Sequence, residues 1–341
     1  MINNSPFFLQ PASVRSVMLR VAVALVPGIA AYVHFFGAAI LVQIALASAT
    51  ALAAEAIVLG LRRRSVWRFV SDGSALVTAW LIALTFPPIA PWWLVVAATL
   101  FAVVIVKHLY GGLGQNPFNP AMAAFALMIV AYPALMSQWP APGQLDFTTQ
   151  LDLIFGGARA ADAITGATPL DALRTALKSA ANPDSPLYNL PASQLMDGPA
   201  FGTLGGQGSE WVALGYLLGG LWLIQRRIIT WHIPFAFCAA LFAVAGLLWA
   251  VKPAGFASPL FHLASGGSML GAFFILTDPV SGATTPRGKL LFAAGAACLT
   301  YIIRAFGAYP DGIAFATLLM NILVPLIDMK TQAPVFGHKK D

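Results

Sequence analysis

Apolar residues gather along the chain in ten runs of spanning length, at roughly 17–37, 38–60, 73–90, 92–109 and 119–138, then 210–225, 231–251, 257–277, 289–306 and 312–328. Each is close to the roughly 20 residues that a helix needs to cross the hydrocarbon core of a bilayer. The pattern predicts an all-α polytopic membrane protein with about ten transmembrane helices. Connections are short except at 139–209, a polar stretch rich in Pro, Gly, Ser and Asp. The expected organisation is helices 1–5 over 1–138, one extended external loop over 139–209, helices 6–10 over 210–330 and a tail over 331–341.

Composition agrees with that pattern. Hydrophobic residues make up 59% of the chain and charged residues 9%, more apolar surface than a soluble protein of this size can hide from water. The formal net charge of +6 does not point to nucleic acid, because the basic residues fall between apolar runs and set orientation there. With the N-terminus inside, the inner side receives Arg15, Arg20, Arg62, Arg63, Arg64, Arg68, Lys107, Arg226, Arg227, Arg287, Lys289, Lys330, Lys339 and Lys340, which is 14 of the 19 basic residues. Lys252, Arg159, Arg174 and Lys178 fall outside, and Arg304 is expected to snorkel from the outer end of its span. Arg15 and Arg20 precede an apolar run long enough to remain as the first span, so no cleavable signal peptide is expected. The two cysteines, Cys238 and Cys298, are too few to hold an iron–sulfur cluster alone, and both lie in apolar runs where a thiol acts as a small apolar group.

A faint internal repeat links Ser71-Asp-Gly-Ser74-Ala-Leu76 in the third run to Ser265-Gly-Gly-Ser268-Met-Leu270 in the eighth. Both continue to a Leu-Thr-x-Pro end, at Leu84–Pro87 and Leu276–Pro279. The two runs cross in opposite directions on the topology above. An inverted five-plus-five repeat has this property, and its broken helices often frame a binding site. Chance recurrence of small residues and proline in membrane helices is the competing reading. Three further polar residues lie within spans: Glu55, His34 and His262. Glu55 is either an ion or proton site or an interfacial partner of Arg62 and Arg63, the reading preferred here; the histidines have no metal-ligand spacing and read as core or contact residues.

One motif occurs twice. Asp162-Ala-Ile-Thr165-Gly166-Ala167-Thr168 lies in the long loop, and Asp278-Pro-Val-Ser-Gly-Ala-Thr284 follows the eighth run. After the first copy, Thr168-Pro169-Leu-Asp171-Ala-Leu-Arg174-Thr-Ala-Leu-Lys178 reads as a short amphipathic helix with Thr168 as N-cap and Pro169 at its first position. A phosphate on Thr168 would face the free N–H groups of that helix, with Asp171 opposing it. An ordinary helix cap is the competing reading.

These segments together resemble a known family. Gly111-Gly-Leu-Gly-Gln-Asn116-Pro-Phe-Asn119-Pro120-Ala-Met, the Asp162–Thr168 motif with Pro169-Leu170-Asp171, and Thr277-Asp278-Pro279-Val280 are similar to the family that holds the D subunit of the Rnf ion-translocating electron-transport complex and the B subunit of the sodium-pumping NADH:quinone oxidoreductase. The resemblance covers essentially the whole chain, and the missing N-terminal extension favours the Rnf side. It implies a flavoprotein subunit that relays electrons between partner subunits while sodium ions or protons cross the membrane. It implies FMN on Thr168 as a phosphoester, within a site formed by Asp162, Thr165, Gly166 and Ala167, and a second, non-covalent flavin, riboflavin, in the membrane domain. Asn116 and Asn119 are expected to offer amides to a flavin edge or a desolvated cation; a capped turn between helices is the other reading. The implied setting is the bacterial inner membrane with both termini cytoplasmic, the flavin loop periplasmic, and an exported flavin-attaching transferase as a partner that reaches Thr168 but not Thr284. A solute channel or transporter with an inverted repeat and no redox role is the alternative function.

Overall fold

The computed structural model describes residues 13–143, 145–156, 165–309 and 311–332; Asp162 and the tail at 333–341 lie outside the described residues. The chain opens with two full spans, α1 (Val14–Phe36) and α2 (Ala39–Leu61). A five-residue helix, α3 (Val66–Val70), leads into α4 (Ser74–Thr85), a half-length apolar helix stopped at Pro87-Pro88. α5 (Trp92–Leu100) continues as π-helical turns over Phe101–Leu109, and together they make the next full span. α6 (Pro120–Ala131) is short again, because Pro133 ends it and opens the single turn α7 (Pro133–Met136).

The polar middle of the chain is folded. β1 (Trp139–Pro140), α8 (Phe147–Gly156), β2 (Thr165–Gly166), α9 (Pro169–Ala180) and α10 (Ala192–Leu195) follow in order. β1 and β2 pair antiparallel, with Trp139 opposite Gly166 and Pro140 opposite Thr165. Beyond them come α11 (Ser209–Gln225) and α12 (His232–Val251), then α13 (Pro259–Ala264) and α14 (Ser268–Leu270), the latter extended by a π-helical turn over Gly271–Ile275. α15 (Pro286–Phe306) and α16 (Ile313–Thr331) close the bundle. The protein is thus an all-α polytopic membrane protein, with six helices among the described residues long and apolar enough to span.

The ten expected runs all carry helix, but four are not full spans: the run at 210–225 holds the 17-residue α11, and three others are shorter or broken. The runs at 73–90 and 119–138 hold 12-residue helices, and the run at 257–277 breaks at Ser265–Gly267. The two breaks are alike. Gly73 (φ 79°) precedes α4, and Gly266 (φ 62°) precedes α14; a side chain at either would be strained. In both halves the order is long helix, long helix, short helix, positive-φ glycine, half-span, long helix, helix.

The half-spans start from opposite ends of the bundle. One end gathers the start of α1, the end of the α5 π-turns, the α11–α12 turn and the start of α15, all around one cavity. It also carries Arg62–Arg64, whose first guanidinium donates to the His108 carbonyl (2.6 Å), and is the basic end. At the other, the loop end, Gly143 N–H donates to the Phe35 carbonyl (2.9 Å), and the Gln150 side chain accepts from Ala39 N–H (2.8 Å). α4 begins at the basic end and α14 at the loop end.

The main core cluster is drawn from both halves and includes Leu25, Ile40, Ile82, Phe237, Phe292 and Tyr301. Small residues let α1 and α11 cross closely: a Cβ at Gly215 would lie 2.7 Å from the Gly28 backbone, and one at Gly219 would lie 1.8 Å from the Ala24 carbonyl oxygen. Helices in lipid associate through such close packing, since lipid tails are as apolar as the helices. α6 and α16 are tied by polar groups instead. Asn119 N–H donates to Asn321 Oδ1 (3.1 Å), and Asn321 Nδ2 donates to the Ser281 carbonyl (2.9 Å).

Candidate functional site: two cavities at opposite ends

Thr168 sits where the sequence places it. It is the N-cap of α9, and its hydroxyl accepts from Asp171 N–H (3.3 Å). β2 holds Thr165 and Gly166 immediately before it, and α9 is seated by Leu170 and Leu173 against Ala257 and Phe261 of the α13 region. Asp171, a charge that opposes an anion here, is paired with Arg174 (2.8 Å). Arg174 also donates to the Ala308 carbonyl, which fastens α9 to the α15–α16 turn.

Gly166, Ala167 and Thr168 open onto a cavity of about 450 Å³ at the loop end. Its walls are aromatic and apolar, with Tyr32, Phe36, Trp139 and Tyr216 among them, and Gly266, Gly267 and Asp311 at the start of α14 also line it. The Tyr216 hydroxyl is buried and has no hydrogen-bond partner among the described residues. A planar aromatic group tethered at Thr168 fits this enclosure, and the orphaned hydroxyl is available to a polar edge. Sequence reasoning missed Tyr216, which reads as one more aromatic in an apolar run.

Asn116 and Asn119 lie elsewhere. They line a second cavity, about 260 Å³, at the basic end, together with Ser74, Lys107, Asp278 and Lys289. The candidate residues are therefore split between two sites. Asn119 is committed to structure: its Oδ1 caps α6 by accepting from Ala121 and Met122 N–H (3.1 and 3.2 Å), and its Nδ2 donates to the Ile275 carbonyl (3.2 Å). Asn116 Nδ2 donates within its own turn to the Phe118 carbonyl (2.9 Å). Both amides thus make capping or turn hydrogen bonds at the edge of that cavity.

The second motif copy differs from the first by one residue of register. Thr285, not Thr284, caps α15 ahead of Pro286. Thr284 is bound instead by Asp328, whose carboxylate accepts from its N–H (3.0 and 3.2 Å) and its hydroxyl (2.8 Å). A phosphate on Thr284 would meet that carboxylate and would not lie on a helix N-terminus.

The starts of the two half-spans carry a matched pair of buried cations. At the basic end Lys107 Nζ donates to Ser74 Oγ (2.8 Å), the first residue of α4, while Asp72 accepts from Ser74 N–H (2.7 Å). At the loop end Arg304 Nη1 donates to Ser268 Oγ (2.9 Å), the first residue of α14, while Asp311 accepts from Gly267 N–H (2.7 Å). Each half-span thus starts with a carboxylate on its N-terminal amides and a serine held by a cation from the following long helix. Arg304 does not snorkel: its side chain is 1% exposed and pairs with Asp311 (3.1 Å). Glu55 does not pair with Arg62 or Arg63 at an interface either. It is buried and bonded to Lys107 (2.5 Å), which reaches it because the π-helical turns bring the end of α5 against α2. His262 is a buried core residue beside Tyr301, and His34 is exposed.

The whole chain is similar to proteins of known family. Residues 1–337 match the model of the NQR2, RnfD, RnfE family. The D subunit of the ion-translocating oxidoreductase complex of Yersinia pseudotuberculosis serotype O:1b is 48% identical over 99% of this chain and 98% of its own length. The protein of that name from Escherichia coli (strain SE11) is 46% identical over 99% of each chain.

Proposed function

The chain belongs to the NQR2, RnfD, RnfE family and is a membrane subunit of an ion-translocating oxidoreductase complex, and on that premise we propose that it carries FMN on Thr168 and passes electrons between neighbouring subunits. The family assignment sets aside the transporter without redox role. One observation carries the flavin reading: Thr168 caps a helix N-terminus and opens onto an aromatic-walled cavity large enough for a ring system. A phosphodiester at this position gains the amides of Leu170 and Asp171, and the Arg174 pair removes the opposing charge. The flavin supplies one-electron and two-electron redox chemistry when bound. Tyr32, Phe36, Trp139 and Tyr216 hold and enclose the ring, and exclude water from it.

The second, non-covalent flavin, riboflavin, is assigned to the basic-end cavity, where Lys107, Lys289 and the Thr277–Val280 segment supply polar edges within an otherwise apolar wall. Asp162 falls in the same motif as Thr168 and is proposed to assist recognition by the attaching transferase. The basic end faces the cytoplasm of a bacterial inner membrane and the loop end faces the periplasm, as the distribution of Lys and Arg favours. An exported transferase then meets Thr168 but not Thr284.

In-gel flavin fluorescence of the denatured subunit tests the attachment. A fluorescent band that persists in Thr284→Val and disappears in Thr168→Val is expected. Loss with Thr284→Val and survival with Thr168→Val refutes the assignment.

A further inference from the structure

Two turns at the basic end are built alike. α2 ends in Arg62-Arg63 and α11 in Arg226-Arg227, and each pair is followed, after three intervening residues, by a tryptophan, Trp67 or Trp231. Both turns close with the same pair of backbone bonds. Arg63 N–H donates to the Gly60 carbonyl (3.0 Å) and Arg64 N–H to the Leu59 carbonyl (2.9 Å). Arg227 N–H donates to the Ile224 carbonyl (2.9 Å) and Ile228 N–H to the Leu223 carbonyl (3.0 Å). The second arginine of each pair thereby takes the left-handed position that helix ends usually give to glycine, with φ 53° at Arg63 and 56° at Arg227. Asn189 is the only other non-glycine residue with positive φ among the described residues. The likeness does not come from the repeat, which pairs the α2–α4 connection with the α12–α14 connection at the other end.

The helix dipole and the orientation of the chain both favour cations here, but neither requires one at the strained residue. A lysine, or a single arginine with glycine behind it, meets both demands. Strain kept at matched places is a mark of function. Arg62–Arg64, Arg226 and Arg227 are all exposed, and none forms an ion pair among the described residues. The acids of this end are engaged internally: Asp72 by Ser74, Asp278 by Val280 and Ser281, Asp328 by Thr284 and Glu55 by Lys107. The surface at the two turns is therefore cationic and uncompensated, and complementary to an anion.

The helix below each turn selects a lipid over a soluble anion. Ile57 and Leu61 lead up to Arg62 along one face of α2, and Leu218 and Leu221 lead up to Arg226 along one face of α11; each is at least half exposed. On a spanning helix such side chains meet acyl chains. Trp67 and Trp231 are exposed too, and an amphipathic ring suits the headgroup zone.

We propose that each turn binds one anionic phospholipid, with the paired arginines on its headgroup phosphate and its acyl chains along the apolar helix face below. A guanidinium fork matches phosphate oxygens two at a time, which an ammonium cannot do. The uncompensated charge favours a headgroup of net negative charge over a zwitterionic one. The proposal does not depend on the flavin reading.

Native mass spectrometry of the purified whole complex tests it, after lipid removal and exposure to detergent micelles holding equal phosphatidylglycerol and phosphatidylethanolamine. The wild-type complex is expected to retain phosphatidylglycerol in preference. Arg63→Gly and Arg227→Gly suit the left-handed backbone and keep the fold; each is expected to weaken phosphatidylglycerol binding at its own turn about fivefold. The double glycine variant is expected to lose the preference, and the double lysine variant to lose part of it. Excess inorganic phosphate is expected to displace none of the lipid. Equal retention of the two lipids by the wild type, or an unchanged preference in the double glycine variant, overturns the proposal. A preference kept in full by the double lysine variant overturns the role of the guanidinium fork. Displacement by inorganic phosphate overturns it in favour of a soluble anion. Loss of a neighbouring subunit from the double glycine variant, with lipid retention unchanged, overturns it in favour of a protein interface.

Discussion

Thr168 caps α9 and is the proposed flavin anchor, and substitutions separate the two roles. As N-cap it stabilises α9, so Thr168→Ala is expected to cost about 1 kcal/mol in addition to losing the flavin. Thr168→Ser keeps a capping hydroxyl and is expected to match the wild type in thermal stability, whatever the transferase makes of it. Scanning calorimetry of the two variants distinguishes these outcomes. Asn119 is a stricter case, because it is buried and every polar atom of its side chain is used. Asn119→Ala orphans the first amides of α6 and the Ile275 carbonyl, and an unsatisfied buried group costs about 1–3 kcal/mol. A lowered unfolding midpoint in detergent is the expected reading. Thr168-Pro169 was legible as a cap because Thr at N-cap and Pro at N1 are local signals. The partners of Asn119 and Glu55 were not legible. Asn321 is 202 residues from Asn119 and Lys107 is 52 from Glu55, and nothing in a sequence pattern pairs groups that far apart.

At the scale of elements, the runs of apolar residues located the helices, but proline and glycine decided how long they are. A 12-residue helix rises about 18 Å, well short of the roughly 30 Å hydrocarbon core, so α4 and α6 end inside the bundle. Pro87 and Pro133 could be read as stops. The break in the eighth run was harder, because Ser265-Gly-Gly-Ser268 is as compatible with a continuous small-residue helix as with an interruption. Tertiary bonds from Asp311 and Arg304 favour the interruption, and both lie far along the chain. The α1–α11 crossing gives a direct prediction. Any side chain at Gly219 must displace the Ala24 carbonyl, so Gly219→Leu is expected to destabilise the subunit by about 1–3 kcal/mol or more through overpacking. Gly60, where a Cβ meets nothing within 4 Å, is the control: Gly60→Ala is expected to be neutral in the same thermal assay.

Across the whole molecule, two cavities face opposite ends and share α4 and the α14 half-span as common walls. The half-spans are antiparallel, so each cavity meets the start of one and the finish of the other. The two proposed flavins would then lie one near each end of the bundle, with the buried Glu55–Lys107 pair at the basic end. Orientation is checked with a membrane-impermeant maleimide on intact cells: Asp184→Cys, in the loop segment, is expected to react, and Arg64→Cys only after lysis. Reversed labelling would invert the topology and remove the transferase from Thr168. The central claim is the flavin bond itself. Trypsin cuts after Arg159 and Arg174 and frees residues 160–174, which contain Thr165 and Thr168. Fragment mass spectrometry of that peptide is expected to show the mass of FMN less one water on Thr168. An unmodified peptide from flavin-replete cells, or the added mass on Thr165 or on the Thr284 peptide, would contradict the account.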